Sequence, residues 1–273
     1  MARAIWSGTI SFGLVNVPVK LYTATEEKDI SFNQFDERSG ERIRMKRVRE
    51  DNGREVAYEN IVKGYETSKG KYVMVTPEEL EAVDPGPRRT IELEDFVDLD
   101  EIDPIYFVKT YYVGPDGSDT VRHAYALLRE AMRKSNRAGI GRFVFRTKQY
   151  LVAIRPLEDV LALTTLYFAD EVRNAKEVGA PGKLKLSPKE MQIATRFIDA
   201  QTTTWKPERY DDTYRESVMK LIRDKSKGKE ITVEKAEKPA PVTDLVAALE
   251  ASLKGTRSRT ASKRRAAPRR KSA

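Results

Sequence analysis

The chain contains no cysteine, a single histidine and no unbroken apolar run of membrane-spanning length. The first absence excludes disulfides, thiolate nucleophiles and cysteine-ligated zinc. The second leaves any histidine-based metal site or Ser-His-Asp relay resting on His123, which lies in a helical pattern and reads as an ordinary helix residue. The third excludes an apolar helix of the roughly 18–20 residues that a bilayer crossing needs. The opening Met1-Ala-Arg-Ala has none of the apolar stretch of a secretory signal, so a cytoplasmic protein is expected. No Gly-x-x-x-x-Gly-Lys-Ser/Thr phosphate loop occurs, and Ser7-Gly8 has no nucleophile-elbow context.

Acidic residues are missing from one region only. Lys and Arg number 50 against 42 Asp and Glu, a formal charge of +8. The last twenty residues hold nine cations and no acid, which leaves residues 1–253 with 41 bases against 42 acids, a net of −1. A uniformly basic, histone-like protein is excluded. With 273 residues, 40% hydrophobic and 34% charged, the remainder suits one large or two small globular domains.

The first two thirds read mainly as strands. Trp6, Gly8, Ile10, Phe12 and Leu14 alternate with small polar residues, then the apolar phase moves to Val15, Val17, Val19 and Leu21. That slip predicts a bulge or an edge near Asn16 and Pro18. Ile30 to Phe35 is a further short run, with a turn at Arg38-Ser39-Gly40. Arg42 to Arg49 reads as a strand with Arg42, Arg44 and Lys46 on one face and Ile43 and Met45 on the other, returning through Asp51-Asn52-Gly53. Lys71 to Val75 is a strand leading into the capping box Thr76-Pro77-Glu78-Glu79. Strands follow at Arg89 to Val97 and Ile105 to Val113, with a break at Gly114-Pro115-Asp116-Gly117. A helix over Thr120 to Ser135 carries Ala124, Leu127, Leu128, Ala131 and Met132 on one stripe. Gly139 and Gly141 flank the start of three last strands, Phe143 to Phe145, Tyr150 to Ile154 and Val160 to Phe168.

The last third is helical. Ser187-Pro188-Lys189-Glu190 is a second capping box, opening a helix with Met191, Ala194, Phe197 and Ile198 on one face. A further helix shows Tyr210, Tyr214, Val218, Leu221 and Ile222 at helical spacing. Residues 235–242 read as a linker, Thr243-Asp244 caps a short helix with Leu245, Leu249 and Leu253 along one stripe, and the remainder is a disordered basic tail. That short helix fits either its own core or another protein's groove.

No catalytic constellation emerges. The acidic run from Glu92 to Asp103 alternates with apolar residues as solvated strand positions do. The basic strand at 42–49 reads either as an edge guarded against aggregation or as a row of cations, roughly 6.5–7 Å apart, facing phosphates. Arg142, Arg146 and Lys148 form a second basic cluster, and Arg133, Lys134 and Arg137 a third. Few exposed aromatics interleave with them, which favours backbone contact with a duplex over base stacking on a single strand.

The segments Arg3 to Tyr22, Tyr58 to Tyr65 and Gly141 to Pro156, together with the helix at 244–253, closely resemble bacterial Ku proteins in the same order along the chain. The resemblance spans almost all of 1–253. It implies an α+β fold: a Ku-type β-barrel core with a bridge insertion (1–186), a helical arm (187–234), and a linker, short helix (243–254) and disordered basic tail (235–273). It also implies a homodimeric ring that binds double-stranded DNA ends in non-homologous end joining and recruits the ATP-dependent end-joining ligase. Such a protein is a nucleoid-associated clamp with no catalytic residue, cofactor or metal. On that reading DNA is met by Lys20, by the bridge cations Arg42, Arg44, Lys46 and Arg47, by Arg133, Lys134, Arg142, Arg146 and Lys148, and by the tail cations Lys263, Arg264, Arg265, Arg269 and Arg270. The ligase meets Leu245, Leu249 and Leu253, and the dimer forms through Phe197, Ile198, Tyr210 and Tyr214.

One departure from the family pattern is plain. Many relatives carry a cysteine pair between the positions of Val48 and Glu55, and here that hairpin has none, so a zinc role does not transfer. Two other functions compete: a general nucleoid-type DNA binder driven by the tail, and a lyase acting on abasic ends through a lysine Schiff base.

Overall fold

The computed structural model describes residues 3–83, 89–145, 148–180, 182 and 184–229. The chain divides into two compact units, Met1–Glu177 and Val178–Ala273.

The first unit is built on a closed barrel. Strands β1 (Trp6–Phe12) and β2 (Val15–Thr23) form an antiparallel hairpin with Phe12 opposite Val15. The phase slip expected as a bulge or an edge is therefore a chain reversal. Gly13, at φ 57°, takes the left-handed conformation that the two-residue turn requires. Reversal puts Ile10 of β1 and Val17, Val19 and Leu21 of β2 on one buried face. Pro18 lies opposite Thr9, one residue before β2 begins to pair with its other neighbour at Val19, so its missing amide breaks no ladder there.

Five more strands complete the barrel: β5 (Thr90–Asp98), β6 (Phe107–Pro115), β7 (Arg137–Phe145), β8 (Lys148–Leu157) and β9 (Val160–Leu166), the labels β3 and β4 belonging to a ribbon described below. Their order is β1-β2-β6-β9-β8-β7-β5, and a parallel pairing of β1 with β5 closes the ring. Strand β6 ends at Pro115, within the expected break at 114–117, whereas β7 begins at Arg137 and so contains Gly139 and Gly141, which were expected to flank its start. At Gly141 a Cβ would stand 2.0 Å from the Glu92 carbonyl oxygen, so only glycine lets β5 and β7 approach there. Next to it the β5–β7 register shifts between Leu93 and Asp95, which makes Glu94 the extra residue of a bulge.

The interior is aliphatic and aromatic: Ile10, Leu21, Ile91, Val113, Phe143, Val152, Ile154, Leu161 and Leu163 are buried in one cluster. Helix α2 (Asp119–Ser135) touches β2, β6, β7 and β8 and adds Tyr125, Leu128 and Met132 to that cluster. Its buried stripe is rotated from the expected one. Leu127 and Ala131 are exposed, and Tyr125 takes the central place. The reason is chemical. The Tyr125 hydroxyl accepts from the Leu161 amide at 2.7 Å and donates to the Val113 carbonyl at 2.5 Å, standing between β6 and β9 where those two residues are in register. Burial pushes the phenol's pKa up, opposed by the amide that it accepts from. It therefore stays a neutral donor.

Between β2 and β5 the chain makes a long excursion. Ribbon strands β3 (Lys63–Ser68) and β4 (Lys71–Val75) pair only with each other. Helix α1 (Pro77–Ala82) follows, with the expected reciprocal cap between Thr76 and Glu79. Before the ribbon, the strands expected at 30–35 and 42–49 reduce to isolated bridges, Phe35 with Arg42 and Val48 with Glu55. Both expected turns are present. Gly40 and Gly53 are left-handed, and the Arg49 amide reaches the Arg54 carbonyl at 2.8 Å across the second turn. The side chains here are nearly all exposed, so neither face has a core to set a ladder against.

In the second unit, α3 (Pro188–Gln201) starts at the expected Ser187–Glu190 capping box, and α4 (Thr213–Ser226) is capped by Asp212. Tyr210 precedes α4, at the end of a short 3₁₀ turn over Pro207–Arg209, instead of lying within the helix. The 244–253 helix and the basic tail lie outside the described residues. No helix among the described residues is long and apolar enough to cross a membrane.

Candidate nucleic-acid interface

Among the described residues, the cations singled out in the sequence fall on three parts of the first unit; the tail cations lie outside the described residues. Lys20 lies on β2, between the inward residues Val19 and Leu21, and so points away from the core. Its ammonium donates to Asp116, just past β6, at 2.7 Å, and that hydrogen bond holds the lysine pKa above its ordinary value. Arg142 on β7 likewise points outward and reaches Glu94 at 2.6 Å; the bulge aims that carboxylate at it. Lys148 opens β8 with its ammonium 5.3 Å from the Tyr150 ring centre. Arg146 lies outside the described residues.

At the end of α2, Arg133 bonds Glu130 one turn back, whereas Lys134 has no ion pair with a described residue. In the excursion, Arg42 donates to Asn33 at 2.6 Å and Arg47 lies 5.0 Å from the Tyr58 ring centre. Lys46 pairs with Glu55 at 2.6 Å, and that hydrogen bond raises its pKa in turn. Arg44 is exposed and has no ion pair with a described residue. The segment of Arg42, Arg44 and Lys46 carries isolated bridges instead of the continuous strand expected there. Sequence reasoning missed the carboxylates Asp116, Glu94 and Glu55. The bridge partner Glu55 was accessible from the hairpin turn; Asp116 lies 96 residues from Lys20 and leaves no local signal.

Part of the acidic run is likewise engaged. Asp98 caps the turn at Leu99–Glu101 and bonds Asn136, and Glu94 holds Arg142. No cluster of three or more metal-ligating side chains occurs among the described residues. His123 is an exposed residue of α2.

In the second unit the apolar residues are largely uncovered. Tyr214 is 78% and Ile198 64% exposed, Phe197 is half-buried, and the Tyr210 ring stacks on Trp205 at 5.1 Å with both rings exposed. Trp205 escaped the sequence reading because it sits in a loop without periodicity.

The first unit is thus a closed seven-stranded barrel with Lys20 and Arg142 pointing outward, and the second is helical with exposed apolar residues. Residues 11–196 match the Ku70/Ku80 beta-barrel domain, and this chain belongs to the Ku family. It is 46% identical over 256 residues to "Non-homologous end joining protein Ku 1" of Saccharopolyspora erythraea, covering 93% of this chain and 78% of that protein. It is 45% identical to "Non-homologous end joining protein Ku" of Anaeromyxobacter sp., covering 95% and 88%, and 41% identical to the Bacillus subtilis protein of the same name, covering 93% and 83%.

Proposed function

We propose that two copies of this chain close a ring around the end of a DNA duplex and present that end to an ATP-dependent ligase during non-homologous end joining. The observation that carries this reading is the family relationship, which extends over more than nine tenths of the chain to proteins named for that process. The chemistry agrees with it. A ring that touches only sugar and phosphate needs cations without base-reading geometry, and the outward cations here are scattered along β2, β7, β8 and the excursion instead of grouped on one recognition helix.

On this reading residues 1–186 are the DNA-encircling core and 187–234 the dimerisation arm. Residues 243–254 recruit the ligase through Leu245, Leu249 and Leu253, and the tail cations Lys263, Arg264, Arg265, Arg269 and Arg270 hold flanking DNA. The uncovered faces of α3 and α4, with Ile198, Tyr210 and Tyr214, suit burial against a second copy, since exposed apolar surface of this extent marks an interaction site. The protein then acts as a scaffold and not as an enzyme.

The test compares linear duplex with closed circles of the same sequence in a gel shift, with and without residues 254–273. Retained preference for linear DNA after removal of the tail supports the ring. Circles bound as well as linear DNA by the chain lacking the tail would refute the ring, and loss of all binding with the tail would leave a general tail-driven DNA binder. A borohydride-trapped adduct on an abasic duplex would instead establish lyase chemistry.

A further inference from the structure

Four of the cations assigned to DNA have an anionic partner, and for three of them that partner lies off any shared helical turn. Lys20 meets Asp116 at 2.7 Å, Arg142 meets Glu94 at 2.6 Å, and Lys46 meets Glu55 at 2.6 Å. These contacts differ from the helical pair of Arg133 and Glu130, which lie three residues apart on one turn. Asp116 is brought in from just past the end of β6 and Glu94 from the bulge of β5. All six side chains are between 39% and 65% exposed, so a phosphate can reach each cation. Exposed ion pairs of this kind contribute little to stability, which makes folding a weak reason for three such placements. They also agree with the net −1 of residues 1–253.

Resting on the reading proposed above, we infer that Asp116, Glu94 and Glu55 are intramolecular stand-ins for DNA phosphate, each neutralising one cation of the duplex-facing wall and thereby setting how strongly the ring body grips DNA. A duplex entering the ring exchanges a phosphate for a carboxylate at each of these points. Little net charge is neutralised, so few counterions leave the DNA. The body then holds the duplex weakly at any one position, and retention depends on enclosure and on the tail.

The test measures affinity of the full chain for a linear duplex as a function of salt, for the wild type and for Asp116→Asn, Glu94→Gln and Glu55→Gln. These isosteric changes remove the charge while keeping a hydrogen-bond acceptor. Each freed cation is expected to steepen the slope of log affinity against log salt by about 0.9, so that affinity gained between 200 and 50 mM salt widens about threefold. Adding Lys20→Gln to Asp116→Asn is expected to restore the wild-type slope. Glu177→Gln, which frees Arg173 from a pair at 2.9 Å outside the proposed wall, supplies the control and is expected to leave the slope unchanged. Unchanged slopes in all three variants, or an equal change in the control, would overturn the inference while leaving the ring intact. A wild type without preference for linear DNA would overturn the ring reading itself, and this inference with it.

Discussion

Tyr125 shows how much one side chain can hold. Its hydroxyl joins a carbonyl of β6 to an amide of β9 inside the core, so Tyr125→Phe leaves two buried backbone groups unpaired. A loss of about 1–3 kcal/mol in urea unfolding is expected. Gly141→Ala acts by a different route. A methyl 2.0 Å from the Glu92 carbonyl forces β5 and β7 apart, and the destabilisation should reach at least the upper end of the about 1–3 kcal/mol typical of overpacking, read by the same unfolding curve. Neither role was legible in the sequence. Periodicity marked the α2 stripe but counted only aliphatic residues, and the rotation that buries Tyr125 follows from a hydrogen bond to strands that are distant in the chain. The partners of Lys20 and Arg142 were hidden for the same reason, as both pairings are made across strands.

At the scale of elements, signals carried by neighbouring residues read correctly. Both capping boxes, the Asn52-Gly53 turn and most of the strands formed where spacing placed them. Errors arose where identical spacing has two meanings. A phase change in apolar residues fits a bulge or a reversal, and the difference lay in Gly13. The basic strand at 42–49 had the right alternation but no core to alternate against. The α3 cap gives a pH prediction. Glu190 titrates below the ordinary glutamate range because the Ser187 hydroxyl and amide favour its charged form. Its folded pKa lies below the unfolded one, so its contribution is complete above the unfolded value and is lost as pH falls through the folded value. Helical circular dichroism of α3 should therefore decline at the acid end of the carboxylate range, and Glu190→Gln should flatten that decline. Ser187→Ala should cost about 1 kcal/mol at neutral pH. The apolar faces of α3 and α4 make a further prediction. Ile198→Asp with Tyr214→Asp, both at exposed positions, should convert a dimer to a monomer in sedimentation without unfolding it. Sedimentation as a dimer would remove these faces from the interface.

For the whole molecule, the charge asymmetry between body and tail is the main physical fact. Nine cations in the last twenty residues dominate any salt-dependent, non-specific attraction, and removing them should reduce the salt slope by up to about 8. The near-neutral body gains little from net attraction, and on the proposed ring reading enclosure supplies the remainder. That division was visible in the sequence from charge position alone. Closure of the barrel through a parallel β1–β5 pairing was not, because it depends on contacts across some eighty residues. Changing Leu245 and Leu249 to Ala should reduce ligase stimulation while leaving DNA binding intact, and unchanged stimulation would contradict the assignment.

Enclosure is tested most directly by topology. The full chain is loaded on a linear duplex, the duplex is circularised, and the complex is washed in high salt that cancels electrostatic binding. A ring predicts that the protein stays on the circle and leaves when a single cut linearises it. Release from the intact circle at the same rate as from the linear duplex would contradict it.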